Sequence, residues 1–335
     1  MSDPRRPVSL DMVEAWRDNS IRFACRNGTI VSRKMTPGLQ RFKGTLVYAA
    51  CAPSASLLND VARIAALDAR IKRFRSIAIY VGLAALLVFL VLLVVPMRKA
   101  LLPPLITVVV MMGLPTLITV VFVLGLVAEP IAAWWFSRTE LSRHRYGLLG
   151  ALIKLLGRDI LEHEELEARL DLASPVAESK RIAEGQIGIW KTTHYRDPWL
   201  QFSGRFADGT SFRIIVAELW KVKQRWSKSR SGKNKSKSKS KARTQVMVSL
   251  YPKARHYGNL NSIQARAMSF LQLPAWVNVK RLEVHTDELT LVTTTMSPWS
   301  LRRLGSRTAN DRVEMVARML LSLYQILHVS KADSK

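Results

Sequence analysis

The chain has 335 residues, 51 Lys and Arg against 25 Asp and Glu, and a formal charge of +26, yet 48% of it is hydrophobic. Two Cys, 16 Gly and 14 Pro exclude a disulfide scaffold and a collagen-like repeat, and the apolar content excludes disorder throughout. What remains is a globular or membrane chain with room for more than one folding unit.

Residues 1–55 predict a small β-element. Ile21 to Ser32 reads IRFACRNGTIVS, two β-prone runs around Asn27-Gly28. That pair is a strong hairpin signal, because both central positions of a type I′ turn need positive φ. Cys25-Arg-Asn-Gly28 and Cys51-Ala-Pro-Ser54 stand where two Cys-x-x-Cys knuckles would, each with its second ligand replaced. The segment therefore resembles a zinc ribbon stripped of half its ligands; the alternative is two unrelated small buried residues. Tetrahedral zinc needs four donors and no His precedes His144, so neither metal nor cofactor is expected. In a reducing compartment Cys25 and Cys51 are expected to be free thiols.

Over residues 56–75 the apolar positions Leu57, Val61, Ile64, Leu67 and Ile71 recur at helical spacing and predict an amphipathic helix. Residues 76–95 then carry no charge, and at about 1.5 Å per residue a helix of that length spans roughly 30 Å, the hydrocarbon thickness of a membrane. A second uncharged run at 104–128 follows, so residues 76–128 predict a two-helix transmembrane hairpin. Arg63, Arg70, Lys72, Arg73 and Arg75 precede it, and Arg138, Arg143, Arg145 and Lys154 follow, against Arg98 and Lys99 in the turn. Retention of positive charge on the inner side predicts a multi-pass protein of a bacterial inner membrane, both termini cytoplasmic, with Trp134 and Trp135 as interfacial anchors. Leucines and isoleucines from Leu141 to Leu161 extend a membrane-proximal helix over residues 129–165.

Residues 166–335 read as an α+β interaction domain, an antiparallel sheet with covering helices. Trp199 to Phe206 and Thr210 to Val216 flank Asp208-Gly209 as a hairpin, with Asp197-Pro198 as the turn leading in. Val279 to His285 and Leu289 to Thr295 predict another, turning near Thr286-Asp287. A terminal helix capped by Thr308 or Asn310 presents Val313, Val316, Leu320, Leu323, Ile326 and Leu327.

The most specific feature is a basic arm at 219–245. From Leu219 to Leu282 there is no Asp or Glu and there are 16 Lys and Arg. The candidate polyanion-binding residues are Lys221, Lys223, Arg225, Lys228, Arg230, Lys233, Lys235, Lys237, Lys239, Lys241 and Arg243. A disordered linker is one reading of this composition. The alternation of Lys with Ser favours another, a long β-ribbon, since a two-residue period puts cations on one face and hydroxyls on the other. With the turn centred on Gly232 and Lys233, position 230 faces 235, 228 faces 237 and 220 faces 245. Like charges facing each other should make such a ribbon fray unless an anion binds. Trp220 and Trp226 are candidates to stack on bases at its root, but the favoured reading is that they anchor the sheet.

His144, His163, His194, His256, His285 and His328 are scattered without metal-ligand spacing, and no phosphate loop, Gly-x-Ser-x-Gly or His-Glu-x-x-His occurs. His194, Tyr195, Arg196 and Asp197 beside Trp199 form the best polar cluster, read as a turn satisfying its own hydrogen bonds. No catalytic residue is assigned. The sequence thus predicts a membrane-anchored, non-enzymatic protein whose cationic arm captures a polyanion: an anionic lipid surface, nucleic acid or an acidic protein. The alternatives are a membrane-bound effector or enzyme with its site near His194 and Trp199, and an architectural subunit of a homo-oligomer or larger complex.

Overall fold

A computed structural model describes residues 45–94, 142–228, 232, 234–253, 257, 260–295 and 309–333. Its elements in chain order are β1 (Val47–Ala52), α1 (Ser54–Val94), α2 (Arg143–Leu156), β2 (Leu166–Asp171), β3 (Arg181–Ile187), β4 (Trp190–Arg205), β5 (Ser211–Lys228), β6 (Asn234–Tyr251), β7 (Asn278–Val284), β8 (Leu289–Thr295) and α3 (Ala309–Asp333). The strands form one antiparallel sheet in the order β1-β2-β4-β5-β6-β8-β7, and β3 pairs with β4 off this path. The chain divides into two compact units, Met1–Val61 with His144–Lys335, and Ala62–Arg143. The sheet belongs to the first.

The period of two in each strand decides which face is buried. Phe212, Leu250 and Leu289 are paired across β5, β6 and β8; Ile214, Val248 and Leu291 make the next row, and Val216, Val246 and Thr293 the third. All nine are buried. Leu200 and Phe202 of β4 and Leu170 and Ala168 of β2 continue the rows outward. Helical spacing supplies the cover: α2 buries Leu148, Leu149, Leu152, Ile153 and Leu156, and α3 buries Met315, Val316, Met319, Leu323, Ile326 and Leu327. Thr293 donates its hydroxyl to Met319 Sδ at 3.4 Å, which places α3 against this face.

The turn between β4 and β5 is tied to the same helix through one carboxylate. Asp208 accepts from Thr210 N at 2.8 Å, Thr210 Oγ1 at 2.9 Å, Tyr257 Oη at 2.8 Å and Tyr324 Oη at 3.3 Å. These donors outweigh the effect of partial burial and hold the carboxyl below its ordinary pKa. Gly209 adopts φ of +83°, the left-handed region that a residue with a Cβ avoids.

Several expectations are corrected here. A two-helix transmembrane hairpin is not seen: among the described residues no helix is long and apolar enough to cross a membrane. The apolar run from residue 76 is no free-standing span but the end of α1, a helix of 41 residues that carries Arg63, Asp68, Arg70 and Lys72 before it. The turn at 96–103, the second run at 104–128 and the anchors Trp134 and Trp135 lie outside the described residues. The α+β membrane-protein class, the inner-membrane location and the cytoplasmic termini rested on that hairpin and fall with it. Among the described residues the structure holds an antiparallel sheet with three α-helices.

Val47–Ala52 is not part of a separate N-terminal element but the edge strand of the main sheet, paired with β2 from Val47↔Asp171 to Ala52↔Leu166. Cys51 lies within it and is disulfide-bonded, which overturns the free-thiol expectation at this position. The only other cysteine in the sequence, Cys25, lies outside the described residues with the Asn27-Gly28 hairpin. Among the described residues no group of three or more His, Cys, Asp or Glu is placed to hold a metal ion.

Candidate polyanion-binding face

Strands β5 and β6 are each 18 residues long and pair along their full length, from Ser211↔Tyr251 to Lys228↔Asn234. Partners in an antiparallel pair point to the same face. In the arm, Lys221 pairs with Lys241, Lys223 with Lys239, Arg225 with Lys237, Ser227 with Lys235 and Leu219 with Arg243. Eight cations therefore share one face in two rows, repeating about every 6.6 Å along each strand. The opposite face carries Trp220, Val222, Gln224, Trp226 and Lys228 from β5, and Ala242, Ser240, Ser238, Ser236 and Asn234 from β6.

This register differs from the expected one by three residues. Position 228 faces 234 instead of 237, and 220 faces 242 instead of 245. An odd shift exchanges the two faces of β5 relative to β6, so Lys228 leaves the cationic face while Lys221, Lys223 and Arg225 join it. The register is fixed at the root, where the apolar alternation of Ile214 and Val216 must meet that of Val246 and Val248. The alternating tip has no apolar preference with which to resist. Gly232, at φ +75°, lies in the connection; Arg230 and Lys233 lie outside the described residues.

Nor is the ribbon an isolated two-stranded hairpin. The N-terminal half of β4 pairs with β5 from Lys191↔Gln224 to Asp197↔Glu218, and β3 pairs outside it, from Ile187↔Trp190 to Arg181↔Tyr195. The root of the arm is thus a four-stranded sheet, and only its last few residues project as a pair. This answers the expected fraying, because two added strands bury backbone hydrogen bonds that a bare ribbon leaves to water.

On the cationic face β4 contributes Trp190, Thr192, His194 and Arg196, which pair with or flank Arg225, Lys223, Lys221 and Leu219. The Trp190 ring centroid is 4.8 Å from the Arg225 guanidinium carbon and 5.6 Å from Lys239 Nζ. Burial pushes the Arg196 guanidinium down to about 10, and burial followed by the charge of Lys221 lowers His194 below the usual imidazole value. No acidic residue occupies a paired position on this face of the arm; Glu184, opposite Thr193, is on the other.

That other face anchors the root. Asp197 and Glu218 are paired across β4 and β5 and are both fully buried. Arg145 of α2, 1% exposed, reaches Asp197 Oδ2 at 2.5 Å and Glu218 Oε2 at 4.0 Å. It also donates to the carbonyls of Asp171 at 2.8 Å and Ala173 at 3.3 Å, with its guanidinium carbon 5.3 Å from the Trp199 ring centroid. Lys180 bridges Asp171 at 2.8 Å and Asp197 at 2.7 Å. Trp220 Nε1 donates to Glu218 Oε2 at 3.0 Å.

The cluster read from the sequence as a turn is therefore strand. Alternation sends His194 and Arg196 to the cationic face and Tyr195 and Asp197 to the anchored one, so it does not come together as a site. A register shift between Pro198 and Leu200, not a turn, accommodates the proline. Of the two tryptophans proposed to stack on bases, Trp220 is buried against Glu218, and Trp226, 76% exposed, lies on the face away from the cations. The aromatic that does share their face is Trp190. Its signal was Gly188-Ile189, a two-residue turn between β-prone runs, with Gly188 at φ +59°.

In comparisons with known proteins, no family model, curated protein or solved structure matches this chain.

Proposed function

We propose that the chain binds a phosphate-rich polyanion, nucleic acid in the first place, through the cationic face of the β5–β6 arm. One observation carries the reading: the register gathers Lys221, Lys223, Arg225, Lys235, Lys237, Lys239, Lys241 and Arg243 on one face, with no carboxylate paired among them. Cross-strand repulsion costs stability, so a sheet that keeps Lys221, Lys223 and Arg225 opposite Lys241, Lys239 and Lys237 gains most when an anion lies over them. Binding of this kind releases condensed counterions and is independent of sequence. A rigid sheet also presents the charges without first ordering a loop, which lowers the entropic cost of association.

The test is a set of binding isotherms for the full chain and nucleic acid over a range of salt concentrations. The logarithm of affinity should fall steeply with that of salt. Replacing Lys235, Lys237, Lys239 and Lys241 with Ser should reduce the slope by about 3, at roughly 0.7 per phosphate contact on a single strand. An unchanged slope and affinity in that variant would make the arm a spacer. Binding to anionic vesicles or an acidic polypeptide, with none to nucleic acid, would reassign the face to those partners.

A further inference from the structure

Resting on that reading, we infer that the preferred polyanion is a single-stranded nucleic acid, whose backbone follows the cations of β5 and β6 while a base stacks on Trp190. The face has two zones. Beside the cationic rows, one strand spacing away, about 4.8 Å, β4 and β3 form a neutral shelf of Trp190, Thr192, His194, Ile187, Gly185 and Ala183. Duplex bases are stacked inward and present only phosphates and groove edges to such a surface. Single-strand bases are free to turn sideways, and every base has a face that an aromatic ring accepts.

Four further observations point to a ligand on the shelf. Trp190 is only partly buried and sits within 6 Å of both a guanidinium and an ammonium, so a base on its ring brings its own phosphate to Arg225 and Lys239. Thr192 is 2% exposed and its hydroxyl has no hydrogen-bond partner, a buried polar atom on the ligand side of the sheet. At Gly185, opposite Thr192, an added Cβ would meet nothing within 4 Å, so the shelf is open above the glycine. His194, held neutral by burial and by Lys221, offers a donor and an acceptor to a base edge.

The experiment measures the full chain against a fluorescent single-stranded oligothymidylate, the corresponding duplex and inorganic polyphosphate at one salt concentration. The single strand should bind tightest. Trp190→Ala should weaken it roughly tenfold while leaving duplex and polyphosphate within about twofold. Trp190→Phe, which keeps a ring and guards against a folding defect, should retain most of the affinity, and Trp226→Ala, on the opposite face, should leave all three ligands unchanged. If Trp190→Ala lowers all three equally or none, or if the single-strand loss follows Trp226→Ala, the inference is overturned. Steep, salt-dependent binding of duplex and polyphosphate with no advantage for the single strand would overturn it and leave polyanion binding standing. No binding to any of the three would end both.

Discussion

Strands β5 and β6 are each two sequences in one. In the body half, from Ser211↔Tyr251 to Glu218↔Thr244, alternation is between apolar rows buried under helices and the opposite face of the sheet. In the arm half, from Leu219↔Arg243 to Lys228↔Asn234, alternation is between cations and small polar or aromatic side chains. The same period of two serves cohesion in one half and ligand presentation in the other. Register is dictated where sliding would expose apolar side chains and is merely inherited where it would not.

The contrast can be broken first at the junction. Arg145→Ala takes from buried Asp197 one of the two cations that reach it, leaving Lys180, and a buried pair broken on one side costs about 3–5 kcal/mol. Thermal unfolding of the full chain should show a melting temperature lower by roughly 6–20 °C. The arm should behave oppositely. Exchanging Lys235, Lys237, Lys239 and Lys241 for Ser removes three like-charged cross-strand pairs, so stability should rise slightly, by about 1 kcal/mol, while anion affinity falls. A large loss of stability would mean that the cations hold the arm together.

The body also carries an acid-sensitive tie. Asp208 has its folded-state pKa depressed by Thr210, Tyr257 and Tyr324, so its contribution is complete above the unfolded value near 3.9 and is lost as pH falls through the lower folded value. Denaturant titrations of Asp208→Asn should therefore differ from the parent at pH 6 and converge with it in strong acid.

The smallest effect concerns His194, which faces Lys221 and lies beside Arg196 on the same face. Its lowered pKa leaves the imidazole neutral at pH 7, and a bound anion favours the charged form. Binding should then take up a proton, and affinity should rise as pH falls below about 6.5. In His194→Gln this part of the pH dependence should vanish.

Hairpins were the legible part of the sequence. Val279 to His285 with Leu289 to Thr295 corresponds to β7 and β8, because Thr286-Asp287 marks the reversal, even though a register shift between Val279 and Arg281 interrupts the alternation of β7. The face of each strand was equally readable, the pairing between strands less so: nothing in Ser-Lys repeats distinguishes a register of 228↔234 from one of 228↔237. Trp190 was missed because its relevance depends on β4 lying beside β5, a contact made across more than thirty residues of chain. The Arg145 anchor was hidden for the same reason, and Arg145 was read as a membrane-flanking charge. The transmembrane reading failed differently: it took the apolar end of α1 for a membrane span.

The register itself is the claim on which the cationic face depends, and paired cysteines measure it. With Lys239→Cys combined with Lys223→Cys, the two Cα positions are direct cross-strand partners, within the 4.4–6.8 Å that a disulfide spans. Mild oxidation and peptide mapping should recover that link in high yield, and the pair Trp226→Cys with Lys239→Cys should give none. A dominant 226–239 link would place Trp226 among the cations, disperse the charge over both faces of the arm and contradict this account.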